Sequence, residues 1–315
     1  ISCGNGTDAL YISLKAMNVK PGDEVITTSH SWISTSEAIT QAGGKVVFCD
    51  TEINTFLLDH KKIEKKITKN TVGIIPVHLY GQSANMVEIM NIAKKYNLWV
   101  IEDCAQAHLA KHHGKYAGSF GNISTFSFYP GKNLGAYGDA GCIVTNDKKL
   151  LDWCKLFANH GGKGKHEFEG INSRMDGLQA AILNVKLPNL FEWTKKRQKI
   201  ASLYISKLRD ISDIKLPFVY KFNEHVFHLF VIKTKLRDEL RNFLNDKKIS
   251  TGIHYSKSLP NYEAYKYLGY KNNDFPNSSF NEKQILSLPI YPELNIDQIE
   301  YICENLISFY STITQ

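Results

Sequence analysis

A lysine set in a glycine-rich turn between two apolar segments is the residue of this chain best suited to covalent chemistry. The apolar stretch Ile123–Tyr129 leads through Pro130-Gly131-Lys132-Asn133-Leu134-Gly135 to a second apolar stretch at Cys142–Thr145. Burial of Lys132 in such a turn disfavours its ammonium form and makes the amine nucleophilic, which is what a Schiff-base lysine requires. A solvated loop lysine has the same local sequence. A second group closes another apolar run: Ile101-Glu102-Asp103-Cys104-Ala105-Gln106-Ala107. Residues just beyond the carboxyl ends of strands in an α/β sheet face the ligand crevice, so Asp103 and Gln106 would face a bound group; a helix cap accounts for the same residues. Near the start, Gly4-Asn5-Gly6-Thr7-Asp8 precedes a helical pattern. Small residues at a helix N-terminus let backbone N–H groups approach an anion, although this is also ordinary turn and cap chemistry.

The elements that must position these groups follow from periodicity. Helical spacing covers Thr7–Met17, Ser34–Gln41, 59–67 and 84–96, and apolar β-rich runs lie between them at Glu24–Thr28, Lys45–Cys49, 72–77 and 98–102. Pro21-Gly22, Gly43-Gly44 and Gly81 punctuate the alternation. Strands that read as unbroken hydrophobic runs predict a mainly parallel sheet with helices on both faces. A helix over 147–158 and a long helical stretch over 174–210, interrupted at Pro188, lead into a strand at 226–232 and helices at 235–246 and 296–310. The expected organisation is a large domain over 1–190 and a smaller C-terminal α/β domain over 191–315.

Composition narrows the function classes. With 315 residues, 43% of them apolar, the chain can bury a large core. No apolar run approaches the ~20 residues of a membrane span, and no leader pattern precedes the first helix, so a cytoplasmic protein is expected. The net charge of +7 is spread over helical segments such as 61–69 and 194–199, which points to solvated helix faces and away from nucleic acid. The six cysteines form no CxxC pair and read as reduced, buried thiols. No His/Cys/Asp cluster has metal-ligand spacing, so no metal is expected.

In order and spacing, GNGTDAL, HSWIST, PVHLYGQ, IEDCAQAH, SFYPGKNLGAYGDAG and INSRMDGLQAAIL, followed by HLFVI, GIHY and LSLPIYP, closely resemble the DegT/DnrJ/EryC1/StrS family of sugar aminotransferases over essentially the whole chain. The resemblance implies the aspartate-aminotransferase-like fold of type I enzymes that use pyridoxal 5′-phosphate. It implies that Lys132 carries the cofactor and moves the proton, and that Asp103 keeps the pyridine nitrogen protonated so that the ring acts as an electron sink. Trp32 would lie on the ring face and Gln106 would reach its phenolic oxygen, although Trp32 alone also reads as a core aromatic. Gly6, Thr7 and Ser127 would hold the phosphate. Asn172 would complete that site from a partner subunit, making a homodimer necessary. Arg174 in the same motif is either structural or a substrate contact.

The resemblance further implies two half-reactions, with L-glutamate as donor and a nucleotide-linked keto-sugar as acceptor. The motifs around the lysine and at HSWIST look more like members acting on dTDP-3-keto-6-deoxyhexoses than on 4-keto sugars. Sugar and diphosphate contacts are expected in the loop His160-Gly161-Gly162-Lys163-Gly164-Lys165-His166, with His160, Lys163 and Lys165 as candidates; a solvated loop shares that composition. His112, His113, His225 and His228 read as surface or packed residues. A sugar dehydratase would need a histidine in place of Lys132. A regulatory protein that binds the cofactor without turnover would have no use for the full Lys132, Asp103, Trp32 and Gln106 set, and a nicotinamide enzyme would need a GxGxxG after the first strand, which is absent. His254-Tyr255-Ser256 departs from the HYP pattern of relatives. Relatives also carry a helical segment ahead of GNGTDAL, whereas this sequence opens on Ile1.

Overall fold

In the computed structural model, residues 1–313 are described. Seven strands form the central sheet, in the spatial order Ser2–Cys3, Gly141–Val144, Ile123–Ser127, Trp99–Asp103, Thr71–Ile75, Glu24–Thr28 and Lys45–Cys49. The five strands from Ile123–Ser127 to Lys45–Cys49 run parallel, and at the other edge Gly141–Val144 runs antiparallel to both of its neighbours, Ile123–Ser127 and Ser2–Cys3. This is the mainly parallel mixed sheet of the expected α/β fold. Glu24–Thr28 is buried along its whole length because helices cover both faces, which is why it reads as a run without alternation.

The strand expected over 72–77 ends at Ile75, since Pro76 has no N–H to continue the ladder. Some helices begin where a side chain satisfies their first N–H groups: Asn5 accepts from the Asp8 N–H at 2.8 Å, and Asp147 accepts from the Lys149 N–H at 2.7 Å. Pro188 lies in the 3-10 turn Leu187–Asn189, which joins the helices Gly177–Lys186 and Leu190–Leu208.

The long helix Leu190–Leu208 opens a second core. Its Ile200, Ala201, Tyr204 and Leu208 pack with Phe230, Leu240, Leu286 and Leu306 around the antiparallel pair Phe230–Lys233 and Ile285–Leu288. The strand expected over 226–232 starts only at Phe230, because Phe227 adopts a left-handed φ of 46°. Between the paired strands, Leu259, Tyr265 and Phe275 return to the first core, with the Tyr265 ring 5.1 Å from that of Phe48. Among the described residues, no helix is long and apolar enough to cross a membrane. The six cysteines are free thiols, five of them fully buried.

Candidate active site

A cavity of about 690 Å³ opens where the parallel strands end. Its wall includes Gly6, Thr7, Trp32, Asp103, Gln106, Ser127 and Lys132, so the fold brings together seven residues drawn from four separate stretches of sequence. The first helix, Gly6–Ala16, meets the sheet so closely that a Cβ on Gly6 would lie 2.8 Å from the Ser127 Cβ. Only glycine permits that approach. The arrangement leaves a helix N-terminus and the Ser127 hydroxyl at one end of the cavity, a donor set suited to phosphate. Thr7 Oγ1 and Ser34 Oγ lie 2.7 Å apart, which ties this end to the next helix, Ser34–Gln41.

Asp103 is the last residue of its strand and is almost fully buried. Its Oδ2 accepts from the Thr35 hydroxyl at 2.8 Å and its Oδ1 from the Ala105 N–H at 3.1 Å. Lys132 sits in a turn closed by hydrogen bonds from its own N–H to the Tyr129 carbonyl and from the Ala136 N–H to the Phe128 carbonyl, at 2.8 and 2.7 Å. Burial pushes the Lys132 ammonium below its ordinary range, and the Asp103 carboxylate pulls the other way. Nearby histidines add no positive charge. Burial holds His108 down to about 3 and His228 well below the usual range, and the Lys132 charge contributes to both. His228 Nδ1 lies 3.1 Å from Asn133 Oδ1, beside the lysine in sequence.

Gln106 is held from two sides. Its Oε1 accepts from the Tyr80 N–H at 2.6 Å, and its Nε2 donates to the Tyr255 hydroxyl at 3.1 Å. Trp32 is 58% exposed at the cavity, its ring 5.6 Å from that of Tyr255. A core aromatic would not leave so much surface open, so the packing alternative for Trp32 falls. Tyr255 thus brings the departing His254-Tyr255-Ser256 segment onto the cavity wall. Thr35 and Tyr255 had no role in the sequence reading. Thr35 lies inside the HSWIST motif, but its partner Asp103 is 68 residues away, and nothing local announces the pairing.

Asn172, Arg174, His160, Lys163 and Lys165 are exposed and do not line this protomer's cavity. Between Asn172 and Arg174, Ser173 is buried and bonded to the start of the first helix. The fold also gathers two groups of potential metal ligands that sequence spacing does not suggest, His78 with Glu102 and Cys104, and Glu52 with Asp59 and His60. In the first, Glu102 already accepts four hydrogen bonds, from His78 Nε2 and from the N–H groups of Gly118, Phe120 and Gly121.

This site geometry coincides with a family match: a model described as the DegT/DnrJ/EryC1/StrS aminotransferase family covers residues 1–307. The chain belongs to that family. It is a sugar aminotransferase, and it spans 84% of the length of several relatives. A protein named "Pleiotropic regulatory protein" from Geobacillus stearothermophilus is 45% identical over 98% of this chain and 84% of its own. The dTDP-3-amino-3,6-dideoxy-alpha-D-galactopyranose transaminase of Aneurinibacillus thermoaerophilus is 44% identical over 96% of this chain and 84% of its own. The crystal structure of S. venezuelae DesV in complex with a ketimine intermediate superposes with a TM-score of 0.95 at 36% identity, covering 98% of this chain and 84% of that one. Further relatives are named for UDP- and GDP-linked sugars.

Proposed function

We propose that this aminotransferase moves an amino group from L-glutamate to a dTDP-3-keto-6-deoxyhexose, giving a dTDP-3-amino-3,6-dideoxyhexose, and that it works as a homodimer. The observation that carries the reading is the pairing of a half-buried lysine with a held carboxylate in one cavity: Lys132, its ammonium pushed down by desolvation, opposite Asp103, oriented by Thr35 and Ala105. The cofactor is pyridoxal 5′-phosphate, and the residues present fit it. A glycine-cradled helix N-terminus beside Ser127 suits its phosphate, and the exposed Trp32 face offers a platform for its ring. When bound, that cofactor supplies the carbonyl that takes up the amine and a ring that withdraws electrons from the substrate carbon.

The protein's own groups do the rest. The Lys132 amine is placed to take a proton from the substrate carbon and return it. With the cofactor bound, Asp103 would keep a proton on its ring nitrogen, and Gln106, fixed by Tyr80 and Tyr255, would donate to its phenolic oxygen. Asn172 and Arg174 project away from their own cavity, which supports a role for them in a second protomer. The adjoining helix Gly177–Lys186 supports the dimer as well, with Leu178 69% and Val185 75% exposed and Ala181 on the same stripe. Phe191 extends that apolar surface. The loop of His160, Lys163 and Lys165 is placed next to this arm in sequence and offers cations to a nucleotide diphosphate. We divide the chain at residue 190, where the helix that opens the second core begins.

Absorbance of the protein with pyridoxal 5′-phosphate, followed on adding glutamate and then dTDP-3-keto-6-deoxyglucose, tests the reading. A visible band that fades with glutamate and returns with the 3-keto sugar is the expected result. Return only with a 4-keto sugar would overturn the regiochemistry. Absence of any band would favour a role without turnover, of the kind that the name of the 45%-identical relative carries.

A further inference from the structure

Asp8 raises a problem of charge. It sits in the first turn of the helix Gly6–Ala16 and lines the cavity, so its carboxylate competes with a phosphate for the same helix end. Its Oδ2 is engaged by the Ser173 hydroxyl, which donates to it at 2.6 Å. The same Ser173 Oγ accepts from the Gly4 N–H at 2.9 Å. A chain of two hydrogen bonds therefore runs from Gly4 through Ser173 to Asp8, linking positions 169 and 165 residues apart. Space around it is tight, for a Cβ on Gly4 would lie 3.0 Å from that Asp8 oxygen.

Ser173 is 2% exposed, whereas Asn172 and Arg174 on either side of it are exposed. In extended backbone successive side chains point to opposite sides, so burying Ser173 turns both neighbours outward. The backbone is anchored as well: the Ser173 N–H donates to the Ala158 carbonyl at 3.0 Å, and Asn172 bridges to Asn159. These bonds tie the outward arm to the first helix.

We propose that Ser173 is a positioning residue that straps the Asn172–Arg174 arm to the phosphate-binding helix of its own protomer, so that each cavity's grip on phosphate is set by the Asp8–Ser173 pair of the other protomer. This rests on the homodimer reading above. The coupling is to an anion site, and its ligand class is the phosphate monoester of the cofactor.

Mixed dimers test it. One subunit carries Lys132→Ala, so that only the other cavity gives the visible band of lysine-bound pyridoxal 5′-phosphate, and its dissociation constant is read from that band. Adding Ser173→Ala to the silenced subunit is expected to weaken binding at the intact cavity about tenfold, or ~1.4 kcal/mol, with the melting temperature of the dimer little changed. Asp8→Ala on the silenced subunit removes the same bond from its other end and should do the same, and Ser173→Thr, which keeps the hydroxyl, should restore affinity to within about twofold. If Asn172→Ala acts across the dimer while Ser173→Ala and Asp8→Ala do not, the strap is wrong and the shared cavity stands. Should Asn172→Ala weaken only its own subunit's cavity, the shared-cavity reading fails and takes the strap with it.

Discussion

Glu102 and Asp103 are consecutive carboxylates on one strand, and they have opposite fates. Alternation sends their side chains to opposite faces of the sheet. Glu102 is completely buried, and its two oxygens accept from His78 Nε2, Gly118 N–H, Phe120 N–H and Gly121 N–H at 2.7–2.9 Å. Burial alone would raise this carboxyl; the His78 hydrogen bond, with the Gly121 and Gly118 N–H groups, outweighs it and holds it below the usual range. His78 is in turn fixed by the Ala84 N–H on Nδ1, so one carboxylate pins two loops. Asp103 has two donors and an open side toward Lys132 and the cavity. A carboxylate whose lone pairs are spent is architecture, and one left with capacity facing a cavity can do chemistry. The same distinction explains why the His78, Glu102 and Cys104 group serves as a staple.

The largest effect should come from the cavity side. Lys132→Ala removes the amine opposite Asp103 in the cavity wall, and turnover is expected to fall by about 10⁴-fold or more while the melting temperature stays near that of the unmodified protein. Residual activity close to the original would break the comparison at its root, since the half-buried lysine would then have no chemical role. On the other face, Glu102→Ala leaves three part-buried N–H groups and the buried His78 without their acceptor. A loss of about 3–5 kcal/mol in denaturant-measured stability is expected, with turnover per folded molecule largely kept. A stable Glu102→Ala protein with impaired chemistry would reverse the assignment of the two faces.

Asp103→Asn sharpens the contrast because it keeps shape and removes charge. Steady-state turnover should drop by roughly 10²-fold, and stability should change by less than about 1 kcal/mol, since the Ala105 N–H still finds an oxygen at Oδ1 and the Thr35 hydroxyl can turn to accept from the new Nδ2–H. Single-turnover absorbance with glutamate alone separates the two possibilities: slowing of that half-reaction supports Asp103 as the partner of the cofactor ring. An unchanged rate there would leave Asp103 as a second staple.

How much of this was readable beforehand follows the same line between local and distant causes. Glu24–Thr28, Ser34–Gln41 and Lys45–Cys49 have the bounds that periodicity predicts, because each is a short buried run or an amphipathic turn flanked by Pro21-Gly22 or Gly43-Gly44. The three-stranded sheet of Asn223–Glu224, Lys111–His112 and Lys115–Tyr116 escaped, since two-residue strands carry no period. So did the 3-10 turns between Leu259 and Asp274, whose aromatics pack on Phe48 from far along the chain. Lys132, Asp103 and Gln106 were legible because glycines or a strand end mark them locally. Thr35 and Tyr255 were not, because their partners in space are 68 and 149 residues away.

Acid provides the finest probe of the difference between spent and open groups, through the buried histidines. Burial depresses His30 to about 4, with the His254 carbonyl opposing it, and His225 to about 3. His108 is held down to about 3 by burial and by the Lys132 charge. Each stays neutral in the folded chain while its unfolded counterpart takes up a proton near pH 6.5. The unfolded state therefore binds more protons below that pH, and stability must fall as pH falls, by about 1.4 kcal/mol per pH unit for each such histidine. Denaturant titrations at pH 7.5, 6 and 5 should give a plateau followed by a steep decline. His225 lies away from the cavity wall, and its Nδ1 accepts from the Phe227 N–H at 2.8 Å. Replacing it, His225→Gln, keeps an acceptor but removes the titrating ring, so the decline should become shallower by about 1.4 kcal/mol per pH unit. A slope unchanged by that substitution would mean that His225 can take its proton inside the fold, and that its burial does not hold it neutral.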